Sequence, residues 1–366
     1  MQIVKVLAIF GGVFLVLWTL VSALKTVVVP RAFLSILTRV HFVTLRRLFD
    51  LIVSPRRSFA RRDRMMALYA PLGLVTLPAV WVSLIILGFT GMVWGTGHQA
   101  FGDAFITSGS SLLTLGFVKP EGVPRVALSF VEAGIGLGVV TLMISYLPTI
   151  YGAFSRRETL VGMLEVRAGL PFSPVELLTR YTRIQWIDKL DEDLFAPWEQ
   201  WFVDVEESHT SQAALAFFRS PHPERSWITA AGCVLDTASL ACSVLDRPYN
   251  ARGPLLLRTG FLCLRRIADL YQIPYDPQPN TDSHISVTRR EFDLVCVEIE
   301  AMGLPLKPDR ELAWRDFVGW RANYDEALVG LCALVMAPPA KWSSDRVLDR
   351  RKLPPIWFAS RRRSSR

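Results

Sequence analysis

Residues Thr114, Leu115, Gly116, Phe117 and Val118 have the types and order that desolvation of a cation demands. A cation leaving water must recover its lost hydration. Rings of backbone carbonyls supply that when successive carbonyls turn toward one axis. Glycine is favoured where the required alternation asks for a positive φ. Thr114 would add a hydroxyl ligand at the inner end, and Phe117 would pack sideways and hold the loop open. The run before them, Phe101 to Leu113, is apolar but short, and Thr107, Ser108, Ser110 and Ser111 make it more polar than a lipid-facing helix. A run of about 10–14 apolar residues is too short to cross a bilayer and marks a re-entrant segment. Such backbone survives at membrane depth only where protein or a water-filled cavity surrounds it.

The elements that must position this turn are long apolar runs. Val6 to Leu24 carries no charge, and at 1.5 Å per residue it approaches the hydrocarbon thickness. A cleavable signal peptide would have a basic start and a shorter apolar core, so an uncleaved membrane helix is the reading. Met65 to Gly97 is a second uncharged run, with Pro71 and Pro78 expected to kink it. The third runs from Val123 to Tyr151, with Glu132 its only charge after Arg125, and Arg156-Arg157 close it. Within it, GIGLG (Gly134, Gly136, Gly138) follows no strand, which excludes a dinucleotide loop. Small residues that allow close helix approach, or a bend for a gate, explain it.

Between the first two runs, Arg31 to Arg64 holds nine arginines against Asp50 and Asp63. Its three internal arginines and Asp50 make spanning costly, at about 2.5–3.5 kcal/mol per central charge, and it reads as a helix lying in the interface against anionic lipid. A solvated basic linker is the alternative. The chain carries a net charge of +8, a pI near 9.4 and a mean hydropathy of +0.30. Arginine clusters set directly against apolar runs point to lipid and topology rather than nucleic acid. The positive-inside rule places Arg31–Arg64 and Arg156-Arg157 on the cytoplasmic side, with the turn facing outward and the N-terminus outside.

After residue 155 the pattern changes to helical candidates at roughly 156–168, 174–190, 194–218, 226–245, 253–271, 288–302 and 310–336. SPVE (Ser173–Glu176) and TRRE (Thr288–Glu291) are capping boxes. No strand-like alternation is long enough for a sheet. Five cysteines, all in this half, lack CxxC or metal-like spacing and read as reduced core residues. His209 follows Glu206 and Glu207, and on a helix Asp204, Glu207 and Ser208 could fall near one face, as a metal or acid/base site; a solvated acidic face is the plainer reading. The tail 338–366 is rich in Pro and Arg and reads as disordered or lipid-contacting.

SGSSLLTLGFV followed by RVALSFVEAGIGLGVVTLMISYLP resembles the pore loop and inner helix of two-transmembrane bacterial potassium channels, over about residues 67–157. The resemblance implies membrane helices with a re-entrant pore loop; it does not cover the first helix, the basic segment or the part after residue 157, whose helical periodicity completes an all-α fold with an all-helical cytosolic domain. It implies Thr114, Leu115, Gly116, Phe117 and Val118 as filter positions, with K⁺ in the filter and no other cofactor. It implies Glu132 as a brace for the pore loop, because an unpaired charge at that depth is costly. One pore loop per chain implies a homotetramer. The family filter reads Thr-x-Gly-Tyr/Phe-Gly, usually followed by Asp. Here the last glycine is Val118, a poor occupant of a positive-φ site, so a distorted outer carbonyl ring is expected. The Asp is Lys119, which in four copies puts about +4 at the pore mouth.

The domain plan is therefore a membrane helix (1–29), a basic segment (30–64), a pore module (65–157, pore helix and filter 101–118), a helical cytosolic domain (158–337) and a basic tail (338–366). The expected function is that of a tetrameric, potassium-channel-like pore subunit of the cell membrane, cytoplasmic after about residue 155, and not an enzyme. The alternatives are a non-conducting membrane-anchored interaction or sensory protein that keeps the channel fold, and a membrane enzyme using Glu207 and His209.

Overall fold

The structure, a computed structural model, describes residues 2–29, 35–53, 58–97 and 100–346. Arg31, Arg56, Arg57, His98 and the basic tail from 347 onward lie outside the described residues. Among those described, thirteen α-helices and no strand are found; one isolated bridge joins Leu245 to Leu306. The stretches Gln2–Val27, Phe59–Gly95 and Val123–Ala168 are long and apolar enough to cross a membrane. The chain divides into two units: 1–53 with 68–152, and 54–67 with 153–366.

In the first unit, α1 (Gln2–Val27) packs antiparallel on α4 (Tyr69–Gly95). Glycines make the approach possible. A Cβ on Gly12 would overlap the Gly88 carbonyl, and one on Gly95 would press on Ile9 and the Lys5 carbonyl. The Lys5 ammonium donates to the Gly97 carbonyl at 2.6 Å, beside the C-terminus of α4, where helix carbonyls lack intrahelical donors. Pro71 falls in the first turn of α4, where its missing N–H costs nothing; only Pro78 lies within the helix. Helix α2 (Ile36–Ile52) starts at Ser35, whose side chain caps the Thr38 amide at 3.1 Å. Its Thr38 and Val43 are buried, while Ile36, Val40, Leu48 and Ile52 form an exposed apolar stripe. Tyr69 of α4 donates to the Phe42 carbonyl at 3.1 Å.

Helix α5 (Phe101–Leu112) packs on α4, and α6 (Val123–Ala168) follows. The sequence predicts that the third membrane run closes at Arg156-Arg157, with a separate helix over 156–168. Instead α6 continues unbroken for 46 residues to Ala168. The helix runs on through Pro148 and ends before Gly169, which takes φ +70°.

The second unit is built around α9 (Trp227–Ser243), buried along nearly its whole length. Around it stand α7 (Pro174–Arg183), α8 (Ala196–Ser211), α10 (Arg252–Leu270), α11 (Arg289–Ala301), α12 (Arg310–Arg321) and α13 (Asp325–Val335), together with the base of α6. Helix α3 (Phe59–Met66) also belongs here, because Asp63 pairs with Arg219. Thr288 and Glu291 form a full capping box. At Ser173 only half of one forms: the side chain caps the Glu176 amide, while Glu176 turns to Arg180 at 2.7 Å.

The single helix expected over 310–336 divides at 322–324. The division serves a buried network. Arg321 donates to Asp236 and, at 2.7 Å, to Asp325; Tyr324 donates to Asp236 at 2.8 Å. Arg321 also donates to the Trp342 carbonyl, and the Trp342 ring is buried. Residues 338–346, assigned above to a disordered tail, are therefore part of this unit. The apolar ring and the carbonyl taken up by a buried guanidinium outweigh the Pro-rich composition.

Candidate functional site

Helix α5 ends in a Schellman stop. The Leu115 amide donates to the Ser110 carbonyl at 2.9 Å, and the Thr114 amide to Ser111 at 3.1 Å. The residue that must be left-handed in this motif is Thr114, at φ 55°. Glycine is usual there, and a β-branched residue in this region is strained. Strain of this kind persists where the surroundings over-determine the backbone and is concentrated at functional sites. Gly116 follows at φ 70°, with no atom near the place of a Cβ.

Ser110 holds the loop in three places. Its carbonyl accepts from the Leu115 amide and from the Gly116 amide at 3.2 Å, and its hydroxyl accepts from the Val118 amide at 3.2 Å. Ser110 is 0% exposed. A trans peptide points its N–H and C=O in opposite directions. The three amides directed at Ser110 therefore turn the carbonyls of Thr114, Leu115 and Phe117 the other way. Among the described residues no backbone amide donates to these carbonyls. Leu115 and Phe117 are 60% and 66% exposed in the single chain.

One expectation for the loop is corrected. Val118 is not a positive-φ residue: in this stretch those are Thr114, Gly116 and Gly122. The strain expected of a β-branched residue at 118 is thus absent, and it sits at Thr114 instead. The Thr114 hydroxyl donates to the Leu113 carbonyl at 2.8 Å, which leaves the lone pairs of its oxygen free to accept. Lys119 is exposed.

Behind the loop, Glu132 of α6 is 1% exposed and accepts from the Ser108 hydroxyl of α5, which also lies 3.1 Å from the Ile86 carbonyl of α4. One serine therefore joins all three helices. Gly136 lies one turn further along α6, and a Cβ there would overlap the Leu112 carbonyl. Gly134 and Gly138 face open space, and α6 runs straight through all three glycines as helix. Val16, Ile85, Phe89, Met92, Leu112 and Val139 form the apolar core around this contact.

In the second unit, the acidic–histidine cluster is not assembled. Asp204 and Glu207 are exposed, whereas His209 is buried on the opposite side of α8. His209 meets the Arg157 guanidinium at 3.1 Å and the Ser208 hydroxyl at 3.1 Å. Burial, reinforced by the Arg157 charge, holds its pKa well below the usual imidazole range, so it stays neutral and serves packing. Among the described residues no three His, Cys, Asp or Glu side chains come together as a metal site. A cavity of about 400 Å³ lies between Asp191, Arg247, Tyr249 and Leu304, with Arg247 and Asp191 paired at 2.8 Å across it.

From sequence, Ser110 and Ser108 read only as polar residues of a short helix. The available signal is their spacing, two residues apart and four and six before Thr114, but nothing in it tells which backbone amides they meet. Compared with known proteins, the chain matches no family model, and no curated protein or solved structure is significantly similar to it.

Proposed function

We propose that four copies of this chain form a potassium-channel-like cation pore in the cell membrane, with residues 114–118 as its filter. The observation that carries this reading is the set of three outward-turned carbonyls, at Thr114, Leu115 and Phe117, held by amides gathered on one buried serine. A filter needs unpaired main-chain oxygens on one side and a rigid backing on the other. The order of short helix, turn and long helix supports the re-entrant arrangement. Phe130, Leu137, Ile144 and Tyr151 of α6 are exposed in the single chain, which suits a helix covered by lipid and by further copies. The antiparallel pairing of α1 with α4 supports an N-terminus on the same side as the turn, outside, with the chain after about residue 155 cytoplasmic. The apolar stripe of α2, flanked by arginines, suits an interface rich in anionic lipid.

The test is cation flux from liposomes holding the purified full-length protein. Wild type should release K⁺, and Gly116→Val should fall to the level of empty liposomes, because a β-branched residue at φ 70° rebuilds the turn. Equal, null flux from both proteins overturns the proposal. A non-conducting membrane-anchored protein is the second reading. It is favoured by the Schellman stop, which ends many helices that serve no pore, and by the lysine at 119. Sustained wild-type flux excludes it.

A further inference from the structure

The hydroxyl of Ser110 does something its carbonyl cannot. The carbonyl contacts at Leu115 and Gly116 belong to the way α5 ends, and any residue at position 110 would make them. The hydroxyl contact to the Val118 amide depends on the side chain and spans eight residues. It is the only hydrogen bond among the described residues that fixes the peptide between Phe117 and Val118. A half-buried amide that loses its acceptor seeks another, and this peptide can do so by rotating. Rotation would swing the Phe117 carbonyl away from the side shared by the Thr114 and Leu115 carbonyls.

We infer that Ser110 is a positioning residue that determines ion selectivity, because its side chain aims the Phe117 carbonyl into the ion path. This rests on the channel reading above. The number and spacing of carbonyls offered to the ion decide between cations, whereas flux alone needs only an open path. Ser110 touches no ion; it acts through the 117–118 peptide. Threonine keeps the hydroxyl and alanine removes it with little change in volume.

The experiment compares wild type, Ser110→Ala and Ser110→Thr as full-length protein in bilayers with K⁺ on one side and Na⁺ on the other. The reversal potential gives the K⁺/Na⁺ permeability ratio. Ser110→Ala should lower that ratio about fivefold, the factor carried by one lost hydrogen bond. Ser110→Thr should restore most of it. Hydrogen exchange in detergent gives a readout independent of current: the Val118 amide should exchange faster in Ser110→Ala and near the wild-type rate in Ser110→Thr. Wild-type current with an unchanged ratio in Ser110→Ala, or unchanged exchange at Val118, overturns this inference and leaves the channel reading standing. No current from wild type overturns both, and exchange at Val118 then reports only the hydrogen bond.

Discussion

Gly136→Ala should stop ion flux and prevent a stable pore module, although it adds one methyl group far from residues 114–118 in sequence. The methyl would occupy the place of the Leu112 carbonyl. That atom is backbone at the end of α5, so it cannot swing aside as a side chain would. Either α5 tilts, carrying the loop with it, or α6 moves away and breaks the Glu132–Ser108 contact. Overpacking of this sort costs about 1–3 kcal/mol in a well-packed core, and a buried carboxylate without its donor adds to that. Gly134→Ala and Gly138→Ala are the controls. Both positions open onto space in the single chain, and replacing glycine by alanine in a helix gains up to about 1 kcal/mol. Thermal unfolding in detergent, with flux from liposomes, distinguishes them: Gly136→Ala should lose both stability and flux, and the two controls should retain the fold.

The second large effect is expected in the helical unit, at Arg321→Met. Arg321 is fully buried, and its guanidinium serves Asp236, Asp325 and the Trp342 carbonyl at once. Methionine fills similar volume but leaves two carboxylates in the core without a cation. Removing one partner of a buried ion pair costs about 3–5 kcal/mol, much of it the penalty on the charges left behind. Asp325 also accepts from the Ser286 amide at 2.8 Å and the Ser286 hydroxyl at 2.6 Å, so the loop before α11 should loosen with it. Release of Trp342 should expose 338–346 to proteases. Chemical denaturation should show the loss, and limited proteolysis should show cleavage near Trp342 in the variant. The triple replacement Arg321→Met, Asp236→Asn, Asp325→Asn should recover part of the stability, because no unpaired charge remains.

What can be read from the sequence follows local chemistry. Uncharged runs of membrane length, the Thr288 capping box and the absence of strand alternation all depend on residues close together in the chain, and each has its counterpart in the structure. Interactions between distant residues cannot be read this way. Arg321 looks like any surface arginine until Asp236, 85 residues earlier, is found beside it. Trp342 lies in a Pro- and Arg-rich stretch, and only its burial against Phe317 shows that it is core. The full length of α6 is hidden because paired arginines mark a membrane boundary without breaking a helix. In the loop, glycine as the sign of positive φ holds at Gly116 and misses Thr114, where the helix stop imposes the conformation.

The proposed pore requires the carbonyls of Thr114, Leu115 and Phe117 to face water along a path shared by several copies. The most direct measurement is current through bilayers holding Thr114→Cys during exposure to a charged thiol reagent, with wild type and its five cysteines as control. The prediction is a cation current in both proteins that the reagent abolishes only in Thr114→Cys. A current that persists after the introduced thiol has fully reacted, or the absence of current from wild type, contradicts it.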